Sequence, residues 1–471
     1  MANKLFLIIA AHVMMYSNVP VLAQKQAKPN IIVILADDLG WGDVGFHGSD
    51  IRTPHLDQLA KEGVVLNRYY VSPICSPTRA GLMTGRYPDR YGLRDNVIAP
   101  WLDFGIDTAE QFLPELLATA GYKNRAAIGK WHLGHSKRKY LPLNRGFTHF
   151  YGHYNGAIDY FTHEREGELD WHNDWESSYD KGHATDLISD AAVRCIQQYK
   201  DDGPFFLYVA YNAPHGPLQA KEEDLLRYGY DPSKPAFGEA KRVKQEGRGN
   251  TRKQTYSAMV SQMDKGIGRI LSALKEAGID GNTVVLFHSD NGAEVNLAGS
   301  SGGLRGAKFQ EWDGGVRAAA VIKWPDGFAG GWISDQLSGY VDVLPTLCAV
   351  AGVEAKPAKV LDGINILPTL TGREDISRAF YLGHGSVVVD DWKLVKANSG
   401  NDRMKHTEDM LFHIVKDPKE KNNLRDSNPD KYKRLLKIVQ KYDNMENAIK
   451  VPPYSEGRDT FIAPKEWNIK F

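Results

Sequence analysis

Four short apolar runs, IIVILA (31–36), FFLYVA (205–210), TVVLFH (283–288) and AAAVI (318–322), constrain this chain more than any other feature. Each is rich in β-branched or aromatic residues, is bounded by turn formers, and is apolar at nearly every position rather than every second one. Such a strand must be covered on both faces, as in a sheet sandwiched between helices. Segments with helical periodicity lie between the runs: from Thr53-Pro54 to Gly63, then 109–121, 184–199 and 257–278. Strand–helix alternation over some 300 residues predicts an α/β domain with a large, mostly parallel central sheet flanked by helices. After about residue 375 the pattern changes. AFYLGHG, VVVDDWKLVKA and DMLFHIV read as strands of a small antiparallel sheet, and NPDKYKRLLKIVQKYDNME as its covering helix. The expected organisation is a catalytic domain over 24–374 and a C-terminal α+β subdomain over 375–471.

The first 23 residues read as a secretory signal peptide. Lys4 precedes an apolar stretch, and Val21-Leu22-Ala23 offers small residues for cleavage. The stretch is short for a bilayer span and is broken by Ser17, Asn18 and Pro20, so no stable membrane insertion is expected. Lys+Arg and Asp+Glu each total 58, without the basic excess of a nucleic-acid coat, so any anion site must be local. Three cysteines do not make a disulfide scaffold. Cys195 and Cys348 fit apolar helix faces, whereas Cys75 lies in the polar, Pro-rich stretch PICSPTRAGLMTGRYP.

The polar residues gain meaning from the strands they follow. Asp37-Asp38 follows IIVILA, Asp290-Asn291 follows TVVLFHS, Asn212-Ala213-Pro214-His215 follows FFLYVAY, and Lys130-Trp131-His132 follows RAAIG. Ligands bind outside the carboxyl ends of strands in open α/β sheets, so four strands deliver polar groups to one edge. Asp37, Asp38, Asp290 and Asn291 are all oxygen donors, the set a hard cation such as Ca²⁺ or Mg²⁺ prefers over zinc. Pro77 suits the first turn of a helix and Gly85 its stop, which predicts a helix over 76–84 with Cys75 at its N-terminus. That end favours an anion, and Arg79, on the same face, could grip a tetrahedral oxyanion with its guanidinium fork. Lys130, His132, His215 and Lys308 could add donors. A cation, a nucleophile position and anion donors make a site for phosphoryl or sulfuryl ester cleavage, and the physics does not choose between them. The polar segment 219–255 reads as a long surface loop or as a basic rim for a polyanion.

Cys75-Ser76-Pro77-Thr78-Arg79, continued by Thr84-Gly85-Arg86, resembles the C-x-P-x-R maturation signature of the type I sulfatases of the alkaline-phosphatase superfamily. The resemblance extends in order through NIIVILADDLGWGDVGFHG, GKWHLG, APHGP, SDNGAE and LRGAKFQEWDGGVR to LFHIVKDPKEKNNL, covering roughly residues 28–425. It implies an alkaline-phosphatase-like fold. It implies that Cys75 is converted to formylglycine by a formylglycine-generating or anaerobic sulfatase-maturating enzyme, and that one hydroxyl of the aldehyde hydrate attacks sulfur. Asp37, Asp38, Asp290 and Asn291, with position 75, would hold Ca²⁺ ahead of Mg²⁺. Arg79 would orient the formylglycine, and Lys130 and Lys308 would bind sulfate oxygens. His215, with Lys308, would protonate the leaving oxygen; Asp290 would help deprotonate the attacking hydroxyl, and His132 the remaining one. Arg86 and Arg90 would support the loop. Trp131 and Trp312 would either pack or line a sugar subsite. FHGSDIRTPHLDQLA and DYFTHER (159–165) are similar to arylsulfatase B-like N-acetylgalactosamine-4-sulfatases and to bacterial carrageenan sulfatases. The lack of a disulfide framework implies a bacterial periplasmic or secreted enzyme acting on a sulfated oligo- or polysaccharide. Two other readings stay open: a phosphatase or phosphonate monoester hydrolase of the same superfamily, and an inactive sugar-binding homologue.

Overall fold

The computed structural model describes residues 27–238, 246–355, 359–372, 374–443, 445 and 449–469; the signal-peptide segment lies outside them. The central sheet contains β1 (Asn30–Asp37), β2 (Val64–Leu66), β3 (Asn124–Lys130), β4 (His149–His153), β5 (His172–Asn173), β6 (Glu176–Ser177), β7 (Phe205–Pro214), β8 (Thr283–Ser289), β9 (Ala320–Lys323) and β10 (Trp332–Ser334). Their order is β10-β2-β9-β8-β1-β7-β3-β4-β5-β6. The five strands from β8 to β4 run parallel, while β9 and β5 attach antiparallel on either side.

β1 shows why the runs are apolar throughout. Ile31, Val33 and Leu35 enter the core on one face, and Ile32, Ile34 and Ala36 the core on the other, each fully buried. Helices α1 (Pro54–Glu62), α4 (Ala184–Tyr199) and α5 (Arg252–Glu276) cover the second face through Leu56, Ile188 and Met263. Helices α2 (Cys75–Thr84), α3 (Leu113–Thr119) and α6 (Val343–Val350) cover the first through Leu82, Leu116 and Leu344. Two helix starts differ from the sequence reading. α3 begins at Leu113 rather than 109 because Pro114 is tolerated only in a first turn. α5 begins at Arg252 rather than 257 because Thr251 caps it, its hydroxyl accepting from the Gln254 N–H at 3.1 Å. None of the described helices is long and apolar enough to cross a membrane.

Strands β11 (Ala379–Gly383), β12 (Ser386–Val389), β13 (Trp392–Val395) and β14 (Met410–His413) form an antiparallel sheet in sequence order. Helix α7 (Pro429–Asp443) packs Leu435 and Val439 on Val387, Val389, Leu394 and Leu411. The other sheet face, through Phe380, Leu382 and Val388, joins the large core. A buried charge cluster ties the two parts together. Lys393 Nζ lies 2.8 Å from both Asp313 Oδ1 and Glu420 Oε1, and all three side chains are fully buried. Removing the cation leaves Glu420 without a cation among the described residues and Asp313 with only Arg317, at 3.6 Å, in a low dielectric. Lys393→Met should therefore cost about 3–5 kcal/mol of stability, read from the denaturant midpoint. A loss below about 1 kcal/mol would mean the cluster stabilises no more than a surface pair does.

Candidate active site

β1 and β8 are neighbours, so the acidic pairs that follow them meet at one edge. The Asp290 N–H donates to the Ala36 carbonyl at 3.0 Å, and the Asp38 N–H donates to Asp290 Oδ1 at 3.2 Å. Asp38 adopts a left-handed φ of 66°, which a short polar side chain tolerates. Asp37, Asp290 and Cys75 each offer a ligand atom within 4.8 Å of the others, as do Asp37, Asp38 and His215. Asp37 Oδ1 and Asn291 Oδ1 are buried and accept no hydrogen bond. Asp37, Asp38, Asp290 and Asn291 offer oxygen donors, and two such atoms among them fit a hard divalent cation.

Two buried cations, Arg79 and Lys130, and a third that also lines the cavity, Lys308, surround these carboxylates. Arg79, fully buried, donates through Nε to Asp290 Oδ2 at 2.9 Å and through an Nη to the Lys130 carbonyl at 3.1 Å. Its fork faces the carboxylates rather than the cavity, which corrects the idea that it grips the substrate anion. Lys130 Nζ bonds Asp37 Oδ2, also beneath the floor. Lys308 Nζ reaches Asp38 Oδ1 at 2.6 Å and Oδ2 at 2.8 Å. Burial would raise Asp38, but Lys308 and His215 together pull it well below the usual carboxylate range. Asp290 is pushed up to about 6 by burial and then by the Asp37 charge. Carboxylates that repel one another in a dry site favour a bound cation.

Cys75 is the first residue of α2. Ile74 before it is extended, and Gly85 ends the helix at φ 68°. Burial pushes the Cys75 thiol up, with Lys130 pulling the other way. His132 Nδ1 lies 3.4 Å from Cys75 Sγ, the atom that stands where the functional group of a matured side chain would be. His132 Nε2 lies 3.1 Å from the Ile98 carbonyl. A carbonyl can only accept, so Nε2 carries the proton and Nδ1 presents a lone pair to position 75. Burial, then Lys130 and Arg79, keeps this imidazole neutral. Its backbone is left-handed, at φ 58°, and Gly156 packs on the ring; a Cβ there would lie 2.4 Å from Cε1. Ser76 Oγ donates to the His132 carbonyl at 3.1 Å and accepts from the Ile98 N–H at 3.3 Å, tying helix, base and anchor together.

His215 follows β7. Its Nδ1 lies 2.6 Å from the Gly216 carbonyl, so by the same logic Nε2 is the free nitrogen, 3.7 Å from Asp38 Oδ2. Burial, then Lys308 and Lys130 against the opposing pull of Asp38, lowers its pKa to about 3. An anionic substrate would raise it toward the protonated form that an acid needs.

Above this floor opens a cavity of about 580 Å³ lined by Cys75, His132, His215 and Lys308, together with Arg94, Arg165, His384 and Arg403. The sequence motifs pointed to Arg165 through DYFTHER; Arg94, His384 and Arg403 follow no motif. Described residues of 219–255 do not line the cavity. Trp131 and Trp312 are 1% and 3% exposed and serve packing. Arg86 lies 3.1 Å from Glu110, and Arg90 donates to Asp362 at 2.7 and 2.6 Å, so both brace the loop after α2.

The family profile for Sulfatase matches residues 29–353. Mouse arylsulfatase J is 31% identical over 91% of this chain and 78% of its own length. Mouse N-acetylgalactosamine-6-sulfatase is 30% identical over 94% of this chain and 90% of its own. The structure of Ps i-CgsB in complex with k-i-k-neocarrahexaose superposes with a TM-score of 0.79, at 30% identity, over 92% of this chain and 96% of that one. Phosphonate monoester hydrolase of Agrobacterium radiobacter, 20% identical with a TM-score of 0.59, covering 88% of this chain and 95% of that one, shares the fold alone. With the mixed sheet, the small antiparallel sheet and the site above, these matches lead to one conclusion: the chain belongs to the sulfatase family and is a sulfuric ester hydrolase.

Proposed function

We propose that the protein cleaves the 4-sulfate of a galactose-type sugar in a sulfated galactan or glycosaminoglycan, with Cys75 matured to formylglycine and Ca²⁺ in the oxygen-donor cluster. Sulfatases generally use a formylglycine and a divalent metal. The observation that carries this reading is the stack at one sheet edge: position 75 at the start of α2, the His132 Nδ1 lone pair facing it, and acidic oxygens beneath. Asp37, Asp38, Asp290 and Asn291 would hold the cation, which would supply charge neutralisation and make a hydroxyl at position 75 more acidic. Arg79 fixes Asp290 and screens it from Asp37. Lys308, released from Asp38, would take a sulfate oxygen, and Lys130 would do so only on release from Asp37, which holds it beneath the floor here. His132 accepts a proton at position 75 through Nδ1, and His215 donates one to the leaving sugar oxygen through Nε2.

The sugar class rests on the likeness to Ps i-CgsB and to N-acetylgalactosamine-6-sulfatases. The latter give a second reading, removal of a 6-sulfate. A phosphatase role is disfavoured because position 75 holds Cys, and no Ser or Thr stands there. In this reading residues 24–374 form the catalytic part and 375–471 a C-terminal subdomain. The chain is exported to the periplasm or beyond by way of 1–23, which is then removed, and a formylglycine-generating or anaerobic sulfatase-maturating enzyme acts on it.

The test is sulfate release from defined oligosaccharides sulfated singly at each position, alongside matched phosphate esters. Release from 4-sulfated galactose or N-acetylgalactosamine units, at least tenfold faster than from 6-sulfated ones, is expected. Preference for 6-sulfate would replace the positional reading, and faster phosphate release would end the sulfate one.

A further inference from the structure

The arginines and the lysine that line the cavity are matched by acidic groups among the described residues, with one exception, and the lining carboxylate of Glu311 is taken by Asn401. Lys308 is held by Asp38, Arg94 bonds Asp89, His384 Nε2 lies 3.3 Å from Asp95, and Arg165 lies 3.3 Å from Glu166. Arg403 forms no ion pair among the described residues. Its guanidinium instead lies 3.9 Å from the centre of the Phe309 ring. That ring also carries the Lys308 ammonium 5.4 Å from its centre, so the two cations flank one side chain.

The loop bearing Arg403 comes from the C-terminal sheet and is fastened to the loop bearing Lys308. Gln310 Nε2 donates to the Arg403 carbonyl at 2.8 Å, and Asn401 Nδ2 donates to the Phe309 carbonyl at 2.8 Å and to Glu311 Oε2 at 2.7 Å. The Arg403 N–H donates to Asn401 Oδ1 at 3.0 Å. Phe309 holds a left-handed φ of 74°, costly for a bulky residue and maintained by this clasp and by its N–H bond to the Pro73 carbonyl at 2.9 Å. A cation lacking a carboxylate partner, stacked on a fixed ring in the wall of a reaction cavity, is set to take an anion from the ligand.

We infer that Arg403 on Phe309 forms a second anion subsite, which binds an anionic substituent of the sugar chain other than the sulfate being cleaved. The substituent would be a sulfate half-ester or a uronate carboxylate on a neighbouring unit. This rests on the sulfated-sugar reading above and adds that the preferred substrate carries at least two anionic groups.

Calorimetric titration of Cys75→Ala protein, which cannot turn substrate over, separates binding from chemistry. Three oligosaccharides of one backbone serve as probes: one with the scissile sulfate alone, one with a second sulfate, and one with a uronate instead of the second sulfate. The second anion should tighten binding about tenfold. Adding Arg403→Ala should bring that ratio toward one, and Arg403→Lys should restore part of it, since lysine keeps the charge but loses the fork. Whichever probe shows the Arg403-dependent gain identifies the anion. An unchanged ratio in Arg403→Ala, or equal weakening of all three probes as from a displaced Lys308 loop, would overturn the subsite. If none of the probes binds and matured enzyme releases no sulfate from any, the functional reading falls and takes the subsite with it.

Discussion

Cys75→Ala protein should release sulfate at a rate lower by a factor on the order of 10⁴ or more, while folding as the parent does. The loss follows from what surrounds position 75. His132 has its Nε2 proton committed to Ile98, so its Nδ1 has no use except to take a proton from this residue. The oxygen-donor cluster converges on the same point. Alanine keeps the start of α2 and fits a 2% exposed site, so near-ultraviolet dichroism and the melting temperature should hardly move. Active parent protein should yield a peptide around position 75 with the mass of an aldehyde in place of the thiol, and unmatured protein should be as inert as the alanine variant. Sulfate release by Cys75→Ala within tenfold of the parent would rule out position 75 as the source of the nucleophile.

Much of this site was legible in the sequence because its residues directly follow strands whose burial makes them easy to read. Asp37, Asp290 and His215 could be assigned to one edge before any coordinate, since an apolar run and its next residue fix both strand and position. α2 was legible for a similar reason: Pro77 and Gly85 admit few conformations. Side-chain direction was not. Helical spacing put Arg79 on the face of Cys75, but a long side chain can turn to either side of that face, and two carboxylates from β1 and β8 drew it inward. The same holds for Lys130, which ends against Asp37. The cavity wall built by the C-terminal sheet was the least legible part. Arg403 and His384 sit on loops without periodicity, and they reach the site only because the sheet shares its core with the large domain. The start of α3 failed for a local reason, a single proline outweighing an apolar pattern.

The second large effect concerns the metal. Chelation should lower the rate of sulfate release by about 10³ or more, since a divalent ion stabilises several kcal/mol of developing charge. Calcium should restore it, and magnesium should do so less well, because carboxylates, an amide oxygen and a hydroxyl in an irregular cluster suit a flexible coordination sphere better than a strict octahedron. Binding should also appear as stability, because the unfolded chain offers no such cluster. At a free calcium concentration of a hundred times its dissociation constant, the gain is about 2.7 kcal/mol. Asp37→Asn isolates the cause. Asp37 is common to both ligand groupings and owns one of two buried oxygens of the cluster that accept no hydrogen bond among the described residues. Its replacement removes a charge and keeps the shape, so the calcium-dependent rise in melting temperature should vanish along with activity. The Asp37 charge is also one of the causes that raise Asp290 toward 6. In the metal-free parent, the cost of keeping Asp290 ionised should therefore grow as pH rises from the ordinary carboxylate range through 6, so stability from this group is lost on going up in pH. Calcium should flatten that slope, and Asp37→Asn should reduce it without calcium. A parent enzyme indifferent to chelator, or an Asp37→Asn protein that still gains calcium-dependent stability, would remove the oxygen cluster from the mechanism.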